Sequence, residues 1–530
     1  MGFCVRILEM AKFFKEWKWT ILAGLGILIL GLVLRLISLT VLPVFVDEAI
    51  YIRWSQIMAN EPTLRFLPLS DGKQPLFMWI LMFLVSRVSD PLFAGRLISV
   101  ASGIGTAAGI FSLSYLLFKN KLVSATATIL YALSPITFFF DRMALVDSML
   151  TFWGVWAMFF GILTAKTLRL DFAMLTGFAL GFALLTKSPA IFIAMILPVT
   201  WVVSERKFKE VYRFVFLMGT AYLIAFFLYN IQRLGPNFHL LTARTADYVF
   251  PISHLWTNPK DPFIFHIKQI FTDWFIKMGT WPLLVMWLGG YVAGWKKYKK
   301  ELILLDFWFW FPILVQSEYA KGFTVRYILF TLPPVFIIGG LTLTAKVKWL
   351  RVAAYGLLGA FLITSLYFNY QLLTNPEKAN LPSSERSGYL EEWTAGTGIK
   401  ETADLISAEQ SKNPGVKIVV GTEGYFGTLP DGLQMYLAET SITVIGVGLD
   451  FTELPQSLKE SFEAGNKTYF VVNDSRLKIK EENYGQFGIK LISSYKKGDR
   501  REKESREYIL KGPFETLYLF EIITPVNGTD

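Results

Sequence analysis

The 530 residues are 53% apolar and 16% aromatic but only 18% charged, with a mean hydropathy of +0.43, where a soluble chain carries about 25% charged residues. That balance excludes a disordered chain, a disulfide scaffold and a cytosolic enzyme built only of ordinary domains. The net charge of +10 points to cytoplasmic loops of a membrane protein, where Lys and Arg collect, and no nucleic-acid partner is expected.

The lone cysteine, Cys4, permits no internal disulfide and reads as a free thiol. Arg6, Lys12, Lys15 and Lys18 lead into an apolar run over 19–44, broken only by Arg35 and followed by no small-residue cleavage site. The expectation is a retained first span with its N-terminus inside. Ten further spans are expected near 93–118, 122–140, 148–165, 172–186, 189–203, 214–231, 275–294, 302–316, 327–345 and 352–370. This makes a multispan α-helical membrane protein of about eleven transmembrane helices. The segments assigned to the cytoplasm are the N-terminus, 119–121, 166–171, 204–213, 295–301 and 346–351, and every one is net basic.

The same parity puts outside 44–92, the turns after Phe140 and around Lys187, 232–274, 317–326 and everything after 371. The run 75–88 is too short to span and reads as an interfacial helix inside the first outer loop. The domains expected are therefore a core over 1–370 that includes the loop 44–92, and an extracytoplasmic α/β domain over 371–530. In the latter, apolar runs at 417–420, 442–447, 469–472, 491–494 and 517–523 alternate with expected helices at 398–407 and 453–464. Gly421, Gly424 and Gly427 follow a strand without the order of a dinucleotide fingerprint and read as a glycine-rich loop. Asn466 and Asn527 begin Asn-x-Ser/Thr acceptor triplets. No repeat of fixed period is present.

Polar residues gathered on one side of a bundle mark a site. The expected outer side holds Asp47 and Glu48 after the first span, Lys73 in DGKQPLF, Arg96, Asp141, Arg142 and Asp147 in DRMALVDSML, Lys187 in LLTKSPAI, and Glu318, Lys321, Arg326 and Tyr327. Asp47-Glu48 opens a helix and can either complement its dipole or supply a general base. Lys73, Arg96, Lys187 and Arg326 can each snorkel to headgroups; together beside carboxylates they suit a phosphodiester or pyrophosphate. Asp147, near the start of a span, needs a partner. His239, His254 and His266 share one loop at spacings that match no zinc pattern.

The order DEA-x-Y, DGKQPLF, an Arg heading the second span, R-x4-D before a long span, LLTKSP and RYILFTLPP resembles the bacterial and archaeal polyprenyl-phosphate-sugar transferases of the GT-C superfamily, in the protein mannosyltransferase and aminoarabinose transferase group. The resemblance covers roughly residues 20–345. It implies transfer of a monosaccharide from a polyprenyl-phosphate donor to a protein or glycolipid hydroxyl on the outer face of the cell membrane, with inversion. In that reading Asp47 is the acceptor's base, and Lys73, Arg96, Arg326, Tyr327 and Lys187 bind the donor phosphate. Glu48, Asp141 and Asp147 position sugar or acceptor, or hold a divalent metal, which relatives use in some cases and not in others. The chain departs from the family's Lys-Pro-Pro with Lys73-Gln74-Pro75. Oligosaccharide transfer within the superfamily and secondary transport or lipid flipping are the alternatives.

Overall fold

The computed structural model describes residues 2–524; Asn527 lies outside them, as do the side chains of the first fifteen residues, Cys4 included. Helices follow the apolar runs: α1 Gly2–Leu36, α2 Val46–Asn60, α3 Leu76–Leu81, α4 Pro91–Phe118, α5 Lys121–Leu133, α6 Pro135–Phe140, α7 Val146–Thr167 and α8 Leu170–Thr186. Backbone contacts divide the chain into two units. One comprises Met1–Ile37, Phe66–Phe77 and Leu97–Leu373, the other Ser38–Arg65, Met78–Arg96 and Thr374–Asp530. The division at 373/374 lies close to the expected boundary at 370, but most of the first outer loop, expected in the core, clusters with the C-terminal domain.

In the first unit, Glu16–Leu36, Val146–Thr167, Phe208–Leu234 and Lys348–Thr374 are long and apolar enough to cross a membrane, as is α4, which belongs to this unit from Leu97. Val325–Thr331 and Pro333–Thr344 make a pair bent by 56°, and Lys121–Leu133, Leu170–Thr186 and Ala190–Val203 are apolar but shorter. Not every expected span is thus one full-length helix. Prolines account for several breaks: Pro135 separates α5 from α6, Pro198 ends the α-helical turns after Ala190, and Pro333 opens the second arm of the bent pair. Helix α3 spans only six positions, as the shortness of its run implies.

Local chemistry sets the ends and the packing. The Asn120 side chain accepts from the amides of Leu122 and Val123 and starts α5. On α8, a Cβ at Gly177 would lie 2.6 Å from the carbonyl oxygen of Ala221, and one at Gly181 2.5 Å from Leu228. This small-xxx-small stripe lets the helix Val211–Asn230 approach backbone to backbone. The opposite side of that helix, with Val215, Phe216, Leu223, Phe226 and Phe227, is exposed, as suits a surface solvated by lipid rather than water.

The second unit holds a five-stranded sheet: β1 Ile418–Glu423, β2 Thr443–Gly448, β3 Lys467–Asn473, β4 Ile489–Lys496 and β5 Thr516–Ile522, in the order β2-β1-β3-β5-β4. β1 runs parallel to β2 and β3, and β5 antiparallel to β3 and β4. The five expected runs thus become the five strands, and β1 is buried along its whole length, as a central parallel strand should be. Leu458, Phe470, Val472, Ile489 and Phe520 form the core on one face.

Beside that core lies a buried charge network. Arg500 bridges Glu515 at 2.9 Å and Glu392 at 2.6 Å, and Lys511 meets Glu392 at 2.9 Å. The buried Lys497 ammonium donates to the carbonyls of Glu392 and Ala395, and burial pushes it down to about 8. Burial, then a hydrogen bond with Glu515, carries the Asp474 carboxyl up to about 7. The shared proton sits on Asp474, because Glu515 already accepts from the Ser475 amide and faces Arg500. The unfolded chain releases this proton near about 4. Between there and about 7 the folded state binds more protons, so this group's contribution to stability falls as pH rises through that window. Asp474→Asn is expected to remove that slope, its unfolding midpoint gaining on the parent's between pH 5 and 8 in heating scans followed by tryptophan fluorescence. An unchanged pH profile would reject the assignment.

Candidate active site

In the first unit, four separated segments bring expected site residues together. Asp147 stands in the first turn of α7, where the helix dipole favours a carboxylate. Lys187 follows α8 in extended conformation and its Nζ donates to Asp147 Oδ1 at 2.6 Å. The same Nζ lies 4.5 Å from the Tyr327 ring centroid, and the Arg326 guanidinium 5.5 Å from that ring. Arg326 and Tyr327 sit on the short helix Val325–Thr331 that opens the bent pair.

The fourth segment carries Lys73. Gln74 Nε2 donates to Ser188 Oγ at 2.6 Å, tying the Lys73 loop to the turn after Lys187. The departure from Lys-Pro-Pro thus has a structural use, since a proline in place of Gln74 could not make this bond. Lys73 meets Asp71 at 3.4 Å, and Asp71 also pairs with Arg244. Gly72 has φ +66, and a Cβ there would lie 3.0 Å from the Leu240 carbonyl oxygen and 3.1 Å from Arg244; glycine alone permits this turn against the 240–244 segment. Arg244 is a cation that the sequence reading missed, because nothing in its own stretch distinguishes it from a loop arginine.

Asp147 Oδ2 is buried and has no hydrogen-bond partner. A carboxylate oxygen desolvated in this way is costly unless a donor arrives. The other oxygen, Oδ1, is the one that Lys187 reaches.

Asp141 and Arg142 do not join this cluster. Asp141 is fully buried, receives Arg35 at 2.9 and 3.1 Å, and accepts from Tyr131 and Ser148. A Cβ at Gly103 would fall 2.2 Å from its carboxylate, so the residue fills a space that only glycine leaves. Arg142 donates to the carbonyls of Leu34, Arg35 and Ile37. Both brace the end of α1, which corrects the expectation that Asp141 serves substrate or metal. Glu318 faces His254 Nδ1 at 3.3 Å, His266 Nδ1 lies 2.9 Å from the Ser317 carbonyl, and the Lys321 amide donates to Tyr248. These residues hold the 232–274 loop to the segment after Pro312.

In the second unit, Asp47 and Glu48 occupy the first turn of α2. Glu48 Oε2 accepts from the Phe45 amide at 2.9 Å, closing the helix start. Arg96, expected as a phosphate ligand, is instead spent inside the fold. Its Nε and one Nη2 hydrogen reach the two Glu48 oxygens at 2.8 Å, and the remaining donors go to the carbonyls of Leu39, Leu42 and Pro43. All five guanidinium hydrogens are used, and both side chains are fully buried. Glu48 is likewise removed from the metal or sugar role expected of it, while Asp47, half-buried in the same turn, is held in place by the pair. Among the described residues no three His, Cys, Asp or Glu side chains converge as metal ligands. Glu48, Asp141 and Asp147, the acids expected to serve, face Arg96, Arg35 and Lys187, so these residues do not fit a metal.

A family model described as dolichyl-phosphate-mannose-protein mannosyltransferase matches residues 72–230, the stretch containing Lys73, Asp147 and Lys187. An undecaprenyl phosphate-alpha-4-amino-4-deoxy-L-arabinose arabinosyl transferase of Pectobacterium carotovorum is 28% identical over 287 residues, 50% of this chain and 48% of that protein. A second such transferase, of Proteus mirabilis, is 28% identical over 255 residues, 45% of this chain and 43% of that protein. The chain spans about half the length of the curated relatives it matches. Among solved structures, ArnT from Cupriavidus metallidurans in the apo state superposes with a TM-score of 0.60 at 14% identity, over 97% of this chain and 100% of that one. The same protein bound to undecaprenyl phosphate gives 0.60 at 13%, with the same coverage. With its apolar helices, the chain is an integral membrane protein. The family model matches within 72–230, while likeness of fold to the Cupriavidus ArnT runs through 97% of the chain.

Proposed function

We propose that this protein is a membrane glycosyltransferase that moves a monosaccharide from a polyprenyl-phosphate donor to an acceptor hydroxyl on the outer face, with inversion. The first unit handles the donor. Lys73, Lys187, Arg326 and Arg244 supply positive charge, and Tyr327 a hydroxyl, for the phosphate that leaves, while Asp147 orients Lys187 and takes a sugar hydroxyl on its second oxygen. Asp47 removes the proton of the acceptor hydroxyl. That oxygen attacks the anomeric carbon, the bond from this carbon to the phosphate oxygen breaks, and polyprenyl phosphate departs with the electron pair. The donor is already activated, so base, phosphate stabilisation and orientation suffice.

The observation that carries this reading is the meeting of Asp147, Lys187 and Tyr327, with the Lys73 loop tied to the turn after Lys187 through Gln74 and Ser188. The undecaprenyl phosphate bound to the Cupriavidus protein, which also figures in the names of the arabinosyl transferases, supports the choice of donor. In full-length protein in nanodiscs, Lys187→Met should weaken undecaprenyl phosphate binding about ten-fold or more, the worth of one charge-assisted hydrogen bond. Lys187→Arg should keep part of it. Wild-type protein that neither binds undecaprenyl phosphate nor releases it from a sugar-loaded form would refute the reading.

A further inference from the structure

The glycine-rich loop after β1 has an unassigned role, and it lies within the second unit against the helix that carries Asp47. A Cβ at Gly427 would sit 3.4 Å from Val46 and 3.8 Å from the Trp393 ring. Phe426 stacks on Trp54 of α2 with ring centroids 5.6 Å apart and planes 28° apart. Asp47, Tyr51 and Trp54 fall at i, i+4 and i+7, one stripe of α2. The Val46 amide donates to Thr394, so Trp393 is tied by main chain to the same first turn. Beyond these contacts the aromatic residues stay open, with Tyr425 70%, Phe426 46% and Trp393 37% exposed.

The loop is also rigid. Gly424 (φ +72) donates its amide to Gly448 at 2.6 Å, and Gly427 (φ +119) donates to the Asp431 carboxylate at 2.7 Å. Both glycines hold φ values that side chains resist, and both ends of Tyr425-Phe426 are thereby pinned. Arg53, next to Trp54 and part-exposed, adds a polar flank. Rings presented on a fixed backbone lose little freedom on binding.

We propose that Tyr425, Phe426 and Trp393 form a platform for a carbohydrate acceptor, whose ring lies with its C–H face on the aromatics and turns a hydroxyl toward Asp47. The proposal rests on the glycosyl-transfer reading above and names the acceptor class for it. A sugar ring has an apolar face and a polar rim, which matches aromatic faces flanked by the part-exposed Arg53. A membrane surface matches less well. The stretches 421–432 and 389–398 carry no Lys or Arg, whereas segments that seat on anionic lipid are basic.

The test uses the full chain in phosphatidylcholine nanodiscs, with chitotriose and maltotriose as probes in saturation-transfer NMR and undecaprenyl phosphate in a separate titration. Sugar ring protons should receive saturation from the wild type. Tyr425→Ala with Phe426→Ala should reduce the effect by about five-fold or more, and Tyr425→Phe with Phe426→Tyr should restore it. Equal saturation in the double-alanine variant, or none in a wild type that binds undecaprenyl phosphate, overturns the platform while leaving the donor reading standing. Sugar contact without undecaprenyl phosphate binding supports the platform and removes the donor reading. Hydrogen-exchange protection of 421–427 that follows a change to phosphatidylglycerol discs, and not addition of sugar, overturns it in favour of a lipid surface.

Discussion

Asp47→Asn is expected to lower the turnover of sugar transfer by about 10²- to 10⁴-fold, the usual worth of a positioned general base, with undecaprenyl phosphate affinity unchanged. The substitution is nearly isosteric and sits in the first turn of α2, where the lost helix-dipole interaction costs about 0.3–1 kcal/mol. An unfolding midpoint measured beside the turnover separates a folding effect from a loss of chemistry. Donor binding is assigned to other residues, Lys73, Lys187, Arg326 and Tyr327, which is why it should hold while chemistry fails. Single-turnover release of polyprenyl phosphate separates the two quantities. A variant that keeps turnover within about three-fold of wild type would remove Asp47 from the base role.

The site was partly legible because charge at the end of an apolar span is expensive and therefore selected for a partner. This logic found Asp147, Lys187, Arg326 and Tyr327 one by one, and the structure joins them. It failed where a charge answers another charge far away in sequence. Arg35 was visible as the one break in the first span, yet its partner Asp141 stands 106 residues on, and no local pattern links the two. Arg96 at the head of a span looks the same whether it snorkels, binds a phosphate or grips Glu48. The strands of the C-terminal domain were legible as short apolar runs. The helix Thr428–Tyr436 between β1 and β2 was not, because Pro430 and Gly432 lie inside it and both weaken a helical reading. The allegiance of the first outer loop was invisible too, since Gln56 reaches Met435 across 379 residues.

Arg96→Met should destabilise the second unit by about 3–5 kcal/mol, because it leaves the Glu48 carboxylate buried without its counter-charge. Three backbone carbonyls, those of Leu39, Leu42 and Pro43, lose their donors as well. For a domain of this size each kcal/mol is worth about 2–4 °C, so the unfolding midpoint should drop by roughly 6–20 °C. Replacing both partners, Arg96→Met with Glu48→Leu, removes the unpaired charge and should recover a large part of that loss, as apolar replacement of buried pairs often does. The loss should also reach the chemistry, since Glu48 closes the start of α2 through the Phe45 amide and Asp47 is its neighbour. Arg96 is thus a positioning residue. At a temperature where the variant is still folded, turnover should fall with undecaprenyl phosphate affinity intact, whereas a direct phosphate ligand would lose affinity first. A midpoint unchanged within a degree or two, with weakened donor binding, would return Arg96 to the phosphate and sever the link between this buried pair and the base.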